Sequence, residues 1–504
     1  MPAFHLAFHY AFQYAIAGLL GALAALGYAP INVFLLPVVT LAGVFWLARE
    51  AAPGRAFLLG LAYGLGLFLA GVSWVYVSMS TFGGMPAPIA ALATFLFCAF
   101  FALWPAAALS LGARLAAPGW MRLALALPAA WALLEWTRGW VFTGFPWLAL
   151  GYSQAPESPL AGYAPVLGVY GVTLLAALSA GALSVIRLHP KAATGFIATL
   201  WLGGWGLQHI DWTRPTAAPV SVALLQGNIA QDMKFRPEKL DETLRHYARA
   251  VLASDAKLII LPETALPLFR SDIPRDYLDI LANHAKQRGG DVLVGVPEDD
   301  GRDALGKPRY YNSVISLGSS PEGRYAKVHL VPFGEFVPFG FRWAVDMMSI
   351  PLGDFSRGAA SQPALAAAGE RLAVNVCFED VFGEERIHAA RDATLLVNVS
   401  NDAWFGDSWA PWQHLQIGAM RSLEAGRGQL RANNTSITAL LDHKGQVQAQ
   451  LAPFTVGTLT GSAQGRTGTT PYLIWGNWAF LVLLAALLLP LLPFNLQRFR
   501  KNPP

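Results

Sequence analysis

The feature that most constrains the fold of this chain is the uneven distribution of its apolar residues. Residues 1–211 are mostly apolar, residues 212–472 have the composition of an ordinary soluble domain, and residues 473–496 are apolar again. Only 13% of all residues are charged, whereas soluble domains carry about 25%. This pattern predicts a multi-span α-helical membrane domain that is interrupted by one water-soluble domain.

Several stretches of the apolar blocks approach the length of about 20 residues that a helix needs to cross hydrocarbon. The stretch at 121–138 is the weakest, because Glu135 and Arg138 stand near its end. The first stretch is interpreted as a span and not as a cleavable signal peptide, because no Lys or Arg precedes it and another span follows at once. The predicted spans are approximately 8–28, 31–48, 56–79, 87–112, 121–138, 160–186, 193–210 and 473–495.

The basic residues of the short loops predict the orientation of these spans. The loops near Pro30 and at 81–85 carry no Lys or Arg, and Arg138 is the one exception to the rule that basic residues fall on one side. Because basic loops stay in the cytoplasm, both termini are expected there and the soluble domain outside it, in the periplasm of a bacterium. The basic residues that support this orientation are Arg49, Arg55, Arg114, Arg122, Arg187, Lys191, Arg498, Arg500 and Lys501.

The soluble block alternates β-type runs with helical stretches, which predicts an α/β fold around a central sheet. The predicted domains are a seven-helix transmembrane domain at 1–211, a periplasmic catalytic domain at 212–472, and a C-terminal transmembrane helix with a cytoplasmic tail at 473–504. Two local predictions matter below: a strand at Tyr325–Leu330 and a helix over 412–430. Further strands are expected at Val220–Leu225, Leu258–Leu261, Asp291–Val296, Ser313–Leu317, Leu372–Val376, Leu395–Val399, Ser436–Leu441 and Thr455–Leu459.

Three polar residues stand out by their positions in this pattern. Glu263 and Cys377 each follow a predicted strand, at the edge where open α/β sheets place their sites, and Lys327 lies in a third predicted strand. A carboxylate can remove the proton of a thiol, and an ammonium group stabilises the thiolate and then the oxyanion of a tetrahedral intermediate. The backbone N–H of Phe378 is a natural second oxyanion donor. The trio therefore predicts a nucleophilic cysteine that works through a covalent thioester.

Short motifs around these residues resemble those of the nitrilase, or carbon–nitrogen hydrolase, superfamily. That superfamily uses a Glu-Lys-Cys triad on an αββα sandwich, and the matching segments are Leu261-Pro262-Glu263, the Lys327 segment and Val376-Cys377-Phe378-Glu379. Further segments, and the seven-plus-one order of spans, resemble the apolipoprotein N-acyltransferase family. These segments are Gly144-Phe145-Pro146-Trp147, Gly151-Tyr152-Ser153-Gln154, Gln226-Gly227-Asn228-Ile229, Val331-Pro332-Phe333-Gly334-Glu335-Phe336-Val337-Pro338 and Asn401-Asp402-Ala403-Trp404-Phe405-Gly406.

This resemblance implies a role for each residue of the trio. Cys377 takes an acyl chain from a phospholipid as a thioester and delivers it to the amino group of a diacylglyceryl-cysteine at the N-terminus of an apolipoprotein. Glu263 is the general base and Lys327 stabilises the oxyanion. The resemblance also implies that the acidic residues Glu335 and Glu379 support the site.

The chain departs from the family pattern at two aromatic positions. Phe235 stands where the family often has Trp, and Phe378 stands where it often has Tyr. The ring is retained but its polar group is lost, so a role that depends on this group is not expected here.

Two other functions are compatible with parts of the sequence. A membrane-tethered amidase or nitrilase-type hydrolase would use the same triad, but it needs one anchor and not eight spans. A transporter with an external sensing domain is disfavoured because few ionisable residues lie within the spans, Glu135 being the main candidate. Neither a cofactor nor a metal is expected, and the net charge of +4 is too small to indicate nucleic-acid binding.

Two apolar features admit a packing interpretation. Cys98, the second of two cysteines, lies in an apolar run and is expected to serve packing. The run at 341–350 is too apolar for an exposed loop, and it is either a buried core helix or a lid that dips into the lipid surface.

Overall fold

The computed structural model describes residues 2–231, 234, 236–302, 306–337, 340 and 355–491. Phe235 and the apolar run at 341–350 lie outside these described residues. The chain forms two compact units. The first comprises the chain up to Tyr76, Pro88–Ile210 and the segment from Ile474, and the second comprises Val77–Ala87 and Asp211–Leu473.

The first unit is helical. Prolines at the first helical turns suit its helix starts, because proline has no N–H to leave unsatisfied there. Its helices are α1 (Pro2–Ala24), α2 (Leu35–Leu47), α3 (Pro53–Val72), α4 (Ala87–Leu115), α5 (Leu127–Arg138), α6 (Ala164–Ser184) and α7 (Pro190–Leu207), followed at the C-terminal end of the chain by a helix at Trp478–Leu488.

Within the described residues, four helical segments are long and apolar enough to cross a membrane, namely Phe8–Gly27, Pro53–Val72, Ala87–Leu115 and Pro159–Ser184. Shorter apolar helices lie in two more of the predicted spans. The predicted membrane character is thereby supported, whereas the count of eight spans, the domain limits and the orientation stay predictions.

Glu135 of α5 is buried inside the helical unit and is engaged in hydrogen bonds. One carboxylate oxygen accepts from Trp131 Nε1 at 3.0 Å, and the other accepts from the Leu150 N–H at 2.9 Å and from Thr173 Oγ1 at 3.0 Å. A carboxylate with this many internal donors joins three parts of the unit together. This arrangement gives Glu135 a structural role.

The second unit contains two six-stranded sheets, whose orders are β13-β2-β3-β4-β5-β6 and β12-β11-β10-β9-β8-β7. The central strands β2, β3 and β4 of one sheet, and β8, β9 and β10 of the other, run parallel. The strands are β2 (Val220–Gln226), β3 (Leu258–Ile260), β4 (Asp291–Arg302), β5 (Pro308–Gly318), β6 (Gly323–Ala326), β7 (Leu365–Ala367), β8 (Glu370–Val376), β9 (Leu395–Ser400), β10 (Gln429–Asn433), β11 (Ala439–Leu441), β12 (Val447–Gln450) and β13 (Gly457–Ala463), and a small separate pair is formed by β1 (Thr213–Pro215) and β14 (Arg466–Gly468).

The two sheets pack face to face through a shared apolar core. Leu224 and Ile260 of the first sheet and Val374 and Val397 of the second belong to this core. Alternate strand residues point to opposite faces, so the other faces of the sheets are covered by helices. These helices are α8 (Pro237–Leu252) and α9 (Arg275–Gln287) on the first sheet and α10 (Gly383–Asp392) and α11 (Ala410–Ala425) on the second. The predicted αββα sandwich is confirmed.

Two local predictions are wrong in their limits. The strand expected at Tyr325–Leu330 ends at Ala326, because the backbone N–H groups that follow turn toward a buried carboxylate. The helix expected over 412–430 ends at Ala425, where Gly426 adopts φ +62° and caps the helix. The residues after it form β10 in the centre of the second sheet.

Candidate active site

Cys377 lies directly after β8, at the first position of a tight turn that runs to Val381. Its φ of +55° is in the left-handed region, which is rare for a residue with a side chain and is held only by its surroundings. Its carbonyl oxygen accepts hydrogen bonds from Asn398 Nδ2 and from His414 Nε2, both at 3.2 Å. The sharp turn presents the thiol at the carboxyl end of a central parallel strand, as the sequence predicts.

Glu263 occupies the corresponding place on the other sheet, just past β3, and is 8% exposed. Its Oε1 accepts from Asn312 Nδ2 at 2.7 Å, and its Oε2 accepts from the backbone N–H of Asn401 at 2.8 Å. Lys327 Nζ lies 3.5 Å from Oε1. The carboxylate is therefore fixed by neighbours from three segments of the second unit.

Lys327 directly follows β6 and is 1% exposed. Its Nζ donates to Glu335 Oε1 at 2.9 Å. Burial alone lowers the pKa of a lysine, but the carboxylates of Glu335 and Glu263 outweigh it and hold the pKa of Lys327 above its usual range. Lys327 is therefore a permanent ammonium group in this site.

Glu335 both supports the lysine and fixes its own loop. Its Oε1 accepts from Lys327 and from Asn312 Nδ2 at 3.0 Å, and its Oε2 accepts from the backbone N–H of Val331 at 2.8 Å. Asn312 thus bridges Glu335 and Glu263. The structure brings this predicted residue into contact with the trio.

Glu379 is fully buried and ties the lysine segment to the cysteine turn. Its carboxylate accepts from the backbone N–H groups of Val328 at 2.7 Å, His329 at 3.1 Å and Val376 at 2.8 Å. Tyr325 Oη also donates to it, at 2.8 and 2.9 Å. Glu379 therefore fixes the backbone of both the Lys327 segment and the Cys377 turn.

The thiol of Cys377 is surrounded by charged groups of both signs. Burial raises the pKa of Cys377 well above its ordinary value, the charge of Glu263 raises it further, and Lys327 lowers it. Cys377 Sγ lies 3.9 Å from Asp402 Oδ1. The thiol consequently rests protonated and needs a base before it can attack.

Asp402 and His414 were not singled out as functional by the sequence analysis. His414 Nδ1 lies 3.2 Å from Asp402 Oδ2, and this oxygen also accepts from Asn433 Nδ2 at 2.7 Å. Asp402 belongs to the Asn401–Gly406 segment that carries the family resemblance, and this was the available signal. His414 gave no signal, because it is one of ten histidines without a metal-binding spacing.

Lys234 is a second buried lysine that sequence reasoning missed. Its Nζ donates to the backbone carbonyl oxygen of Glu263 at 3.0 Å, and its side chain is 2% exposed. Burial lowers the pKa of Lys234 to about 8, although the charges of Glu263 and Cys377 act in the opposite direction. Its sequence context, Asp232-Met233-Lys234-Phe235-Arg236, is mixed in polarity and gives no signal of burial.

The remaining predicted residues lie at the edges of this arrangement. The ring of Phe378 packs edge-on against His329 and Phe382, with centroids at 6.0 and 5.2 Å. Cys98 is fully buried in α4 of the helical unit, as its packing interpretation requires.

The αββα sandwich and the residues at its strand ends define a protein of the carbon–nitrogen hydrolase class. Residues 221–472 match the family model described as carbon–nitrogen hydrolase. Residues 20–182 match the model described as apolipoprotein N-acyltransferase N-terminal domain. The two matches fall on different parts of the chain, one largely helical and one containing the two sheets.

Curated relatives are similar to the chain over nearly its whole length. An apolipoprotein N-acyltransferase of Nitrosomonas europaea is 50% identical over 93% of this chain and 95% of the relative. Those of Chromobacterium violaceum and Ralstonia nicotianae are 47% and 46% identical, each over 94% of this chain and 92% of the relative. The chain belongs to the apolipoprotein N-acyltransferase family, and it is an enzyme.

Proposed function

We propose that this chain transfers a fatty acyl group from a phospholipid to the N-terminal amino group of a diacylated apolipoprotein, through a thioester on Cys377. One observation carries the assignment of residues. The buried ammonium of Lys327 lies between the carboxylates of Glu263 and Glu335, and the charges of all three act on the thiol. A base, a cation and a nucleophile are thus present in one water-poor site.

The first half of the reaction forms the thioester. Glu263 takes the proton of the Cys377 thiol, and the thiolate attacks the ester carbonyl carbon of the phospholipid. The oxyanion that develops accepts hydrogen bonds from Lys327 and from the backbone N–H of Phe378. When the intermediate collapses, the C–O bond breaks and the lysophospholipid oxygen takes the proton from Glu263.

The second half transfers the acyl group. The neutral α-amino group of the acceptor attacks the thioester carbon and loses a proton to Glu263, while the same donors stabilise the second oxyanion. The C–S bond then breaks, and the proton returns from Glu263 to the thiolate. An amide is formed and the thiol is regenerated, so neither a metal nor a cofactor is needed.

A hydrolase would let water attack the same thioester, so the triad does not separate the two functions. Family membership over more than nine-tenths of the chain favours the transferase, since the relatives are named for N-acyl transfer. The four long apolar helices also favour a lipid substrate. We further propose that the protein resides in the bacterial inner membrane, with the second unit in the periplasm and both termini in the cytoplasm, on the distribution of basic loop residues.

Product analysis distinguishes the two functions. The purified protein is incubated with a phospholipid that carries a labelled acyl chain, with and without a synthetic diacylated lipopeptide that has a free amino terminus. We expect labelled N-acyl peptide with the acceptor and little free fatty acid without it. Labelled fatty acid released at the same rate in both reactions would establish hydrolysis and overturn the proposal.

The two cysteines provide a matched pair of control variants. Cys377→Ala is expected to abolish transfer, and Cys98→Ala, in the helical unit, is expected to retain it. Equal loss in both variants would show that the substitutions act on folding and not on chemistry.

A further inference from the structure

The backbone carbonyl of Cys377 is held by the imidazole of His414. Nε2 lies 3.2 Å from the carbonyl oxygen, and the imidazole is 1% exposed. A carbonyl oxygen can only accept hydrogen bonds, so Nε2 is the donor and carries a proton. A second donor to the same oxygen, Asn398 Nδ2, is itself positioned by Ser400, whose hydroxyl donates to Asn398 Oδ1 at 2.6 Å.

The other nitrogen of His414 faces the carboxylate of Asp402. Burial raises the pKa of Asp402, but His414 and Arg431 outweigh burial and lower it, so Asp402 is an ionised acceptor. Nδ1 lies 3.2 Å from Asp402 Oδ2. The charged groups that face His414 include Asp402, Asp380 at 4.0 Å from Nε2, and Arg431, which pairs with Asp380.

The position of this carbonyl determines the direction of the next N–H group. The peptide between Cys377 and Phe378 is planar, and in a trans peptide the C=O and the N–H point in opposite directions. Holding the Cys377 oxygen toward His414 and Asn398 therefore directs the Phe378 N–H away from them. This N–H is the second oxyanion donor of the proposed reaction.

We propose that His414 is a positioning residue for acyl transfer, which holds the Cys377–Phe378 peptide so that the Phe378 N–H is aimed at the oxyanion. The proposal rests on the function proposed above and deepens it. The left-handed conformation of Cys377 makes such a restraint necessary, because a strained turn relaxes when its contacts are removed. Two side-chain donors on one carbonyl oxygen, His414 Nε2 and Asn398 Nδ2, suit a restraint on a strained peptide.

Two isosteric variants separate the carbonyl contact from the rest of the imidazole. In His414→Asn the amide nitrogen takes the place of Nδ1, so the bond to Asp402 is kept and the bond to the Cys377 oxygen is lost. In His414→Gln the amide nitrogen takes the place of Nε2, so the bond to the carbonyl is kept. Both variants replace the imidazole by an uncharged amide, so charge alone cannot distinguish them.

The measurement is the ratio of two rate constants at one pH: acylation of Cys377 by phospholipid, and alkylation of Cys377 by iodoacetamide. Both reactions need the thiolate, but only acylation passes through a tetrahedral oxyanion. A change in the thiolate population therefore cancels in the ratio. Because loss of one oxyanion donor slows catalysis by about 10²–10³, misdirection of this donor in His414→Asn is expected to lower the ratio about 10- to 100-fold. His414→Gln is expected to stay within about threefold of the unsubstituted protein.

His284→Asn is the matched control, because His284 is also buried and its Nε2 contacts a backbone carbonyl, that of Ser254, at 2.9 Å. It is expected to leave the ratio unchanged. An unchanged ratio in His414→Asn, or an equal decrease in His414→Asn and His414→Gln, would overturn the role of the carbonyl contact. Absence of any acyl label on Cys377 of the unsubstituted protein, which still reacts with iodoacetamide, would instead refute the proposed function.

Discussion

Loss of the Glu379 carboxylate is expected to destabilise both the segment that carries Lys327 and the turn that carries Cys377. Three backbone N–H groups, those of Val328, His329 and Val376, point at its two oxygens from distances of 2.7–3.1 Å. In Glu379→Gln one oxygen becomes an NH₂ group of the same size. Val328 and His329 both donate to Oε1, whereas Val376 donates to Oε2. The glutamine amide should therefore keep its oxygen at the Oε1 position, which places its NH₂ group next to the Val376 N–H, so that two donors face each other.

The size of the effect follows from these contacts. A buried N–H left without an acceptor costs about 2 kcal/mol, and a hydrogen bond to a neutral oxygen is about 1 kcal/mol weaker than one to a carboxylate. One orphaned donor and two weakened bonds give a loss of at least about 4 kcal/mol, which is about a thousandfold in an equilibrium constant, and weakening of the pair with Arg386 adds to it. The second unit should remain folded, but its Lys327 and Cys377 segments should open much more often.

Amide hydrogen exchange reports such openings directly. We expect exchange of the peptides that contain Val328 and Val376 to accelerate by about 10³-fold in Glu379→Gln, and acyl transfer to fall with it. The control is Glu385→Gln, because Glu385 is 39% exposed at its side chain and contacts the ring of His329 and not the backbone. Exchange in Glu379→Gln within about threefold of the unsubstituted protein would refute the proposed restraint.

Three further predictions concern buried charges and one tight turn. Lys234→Met should slow acyl transfer about tenfold. The pKa of Lys234 is lowered from 10.5 to about 8 in the folded protein, so between these two pH values the unfolded chain binds one more proton than the folded chain. Over that window the thermal stability of the unsubstituted protein should therefore rise with pH relative to that of the variant. Arg431→Met leaves the buried carboxylate of Asp380 without its ion-pair partner, and the unfolding free energy of the second unit in denaturant should fall by about 3–5 kcal/mol. Gly426 and Gly289 share φ +62°. A Cβ at Gly426 would lie 2.9 Å from a threonine methyl, whereas a Cβ at Gly289 would meet nothing within 4 Å. Gly426→Ala should therefore lower the unfolding free energy in denaturant by at least about 1 kcal/mol more than Gly289→Ala does.

The general fold could be predicted because its signals are local. Blocks of apolar residues indicate the helical unit, and short β-type runs between helical stretches indicate an α/β domain. The strand β10 was missed because it is only five residues long, Gln429-Leu430-Arg431-Ala432-Asn433, and is separated by only three residues from the preceding helix, which ends at Ala425, so the predicted helix ran into it. Its polar side chains are buried, since Arg431 and Gln429 bond to Asp380 inside the unit. Tertiary pairing, and not local propensity, makes this segment a strand.

Site residues that stand at strand ends could be predicted from the sequence. Those that reach the site only through tertiary contacts were missed. Glu263 and Cys377 follow recognisable strands, so their positions indicate a site. His414 lies in the middle of a helix, and Lys234 lies in a loop, so no periodicity distinguishes them from packing residues. Their importance follows from contacts with the backbone oxygens of Cys377 and Glu263, which only the folded chain reveals.

The thioester on Cys377 is the central claim, and mass spectrometry of the protein without acceptor tests it most directly. After incubation with phospholipid, the peptide that contains Cys377 should gain the mass of one acyl chain, lose it on treatment with neutral hydroxylamine, and lose it on addition of the diacylated lipopeptide. The Cys377→Ala protein should gain no such mass. An acyl group found on another residue, or transfer to the lipopeptide by Cys377→Ala at the rate of the unsubstituted protein, would contradict the account.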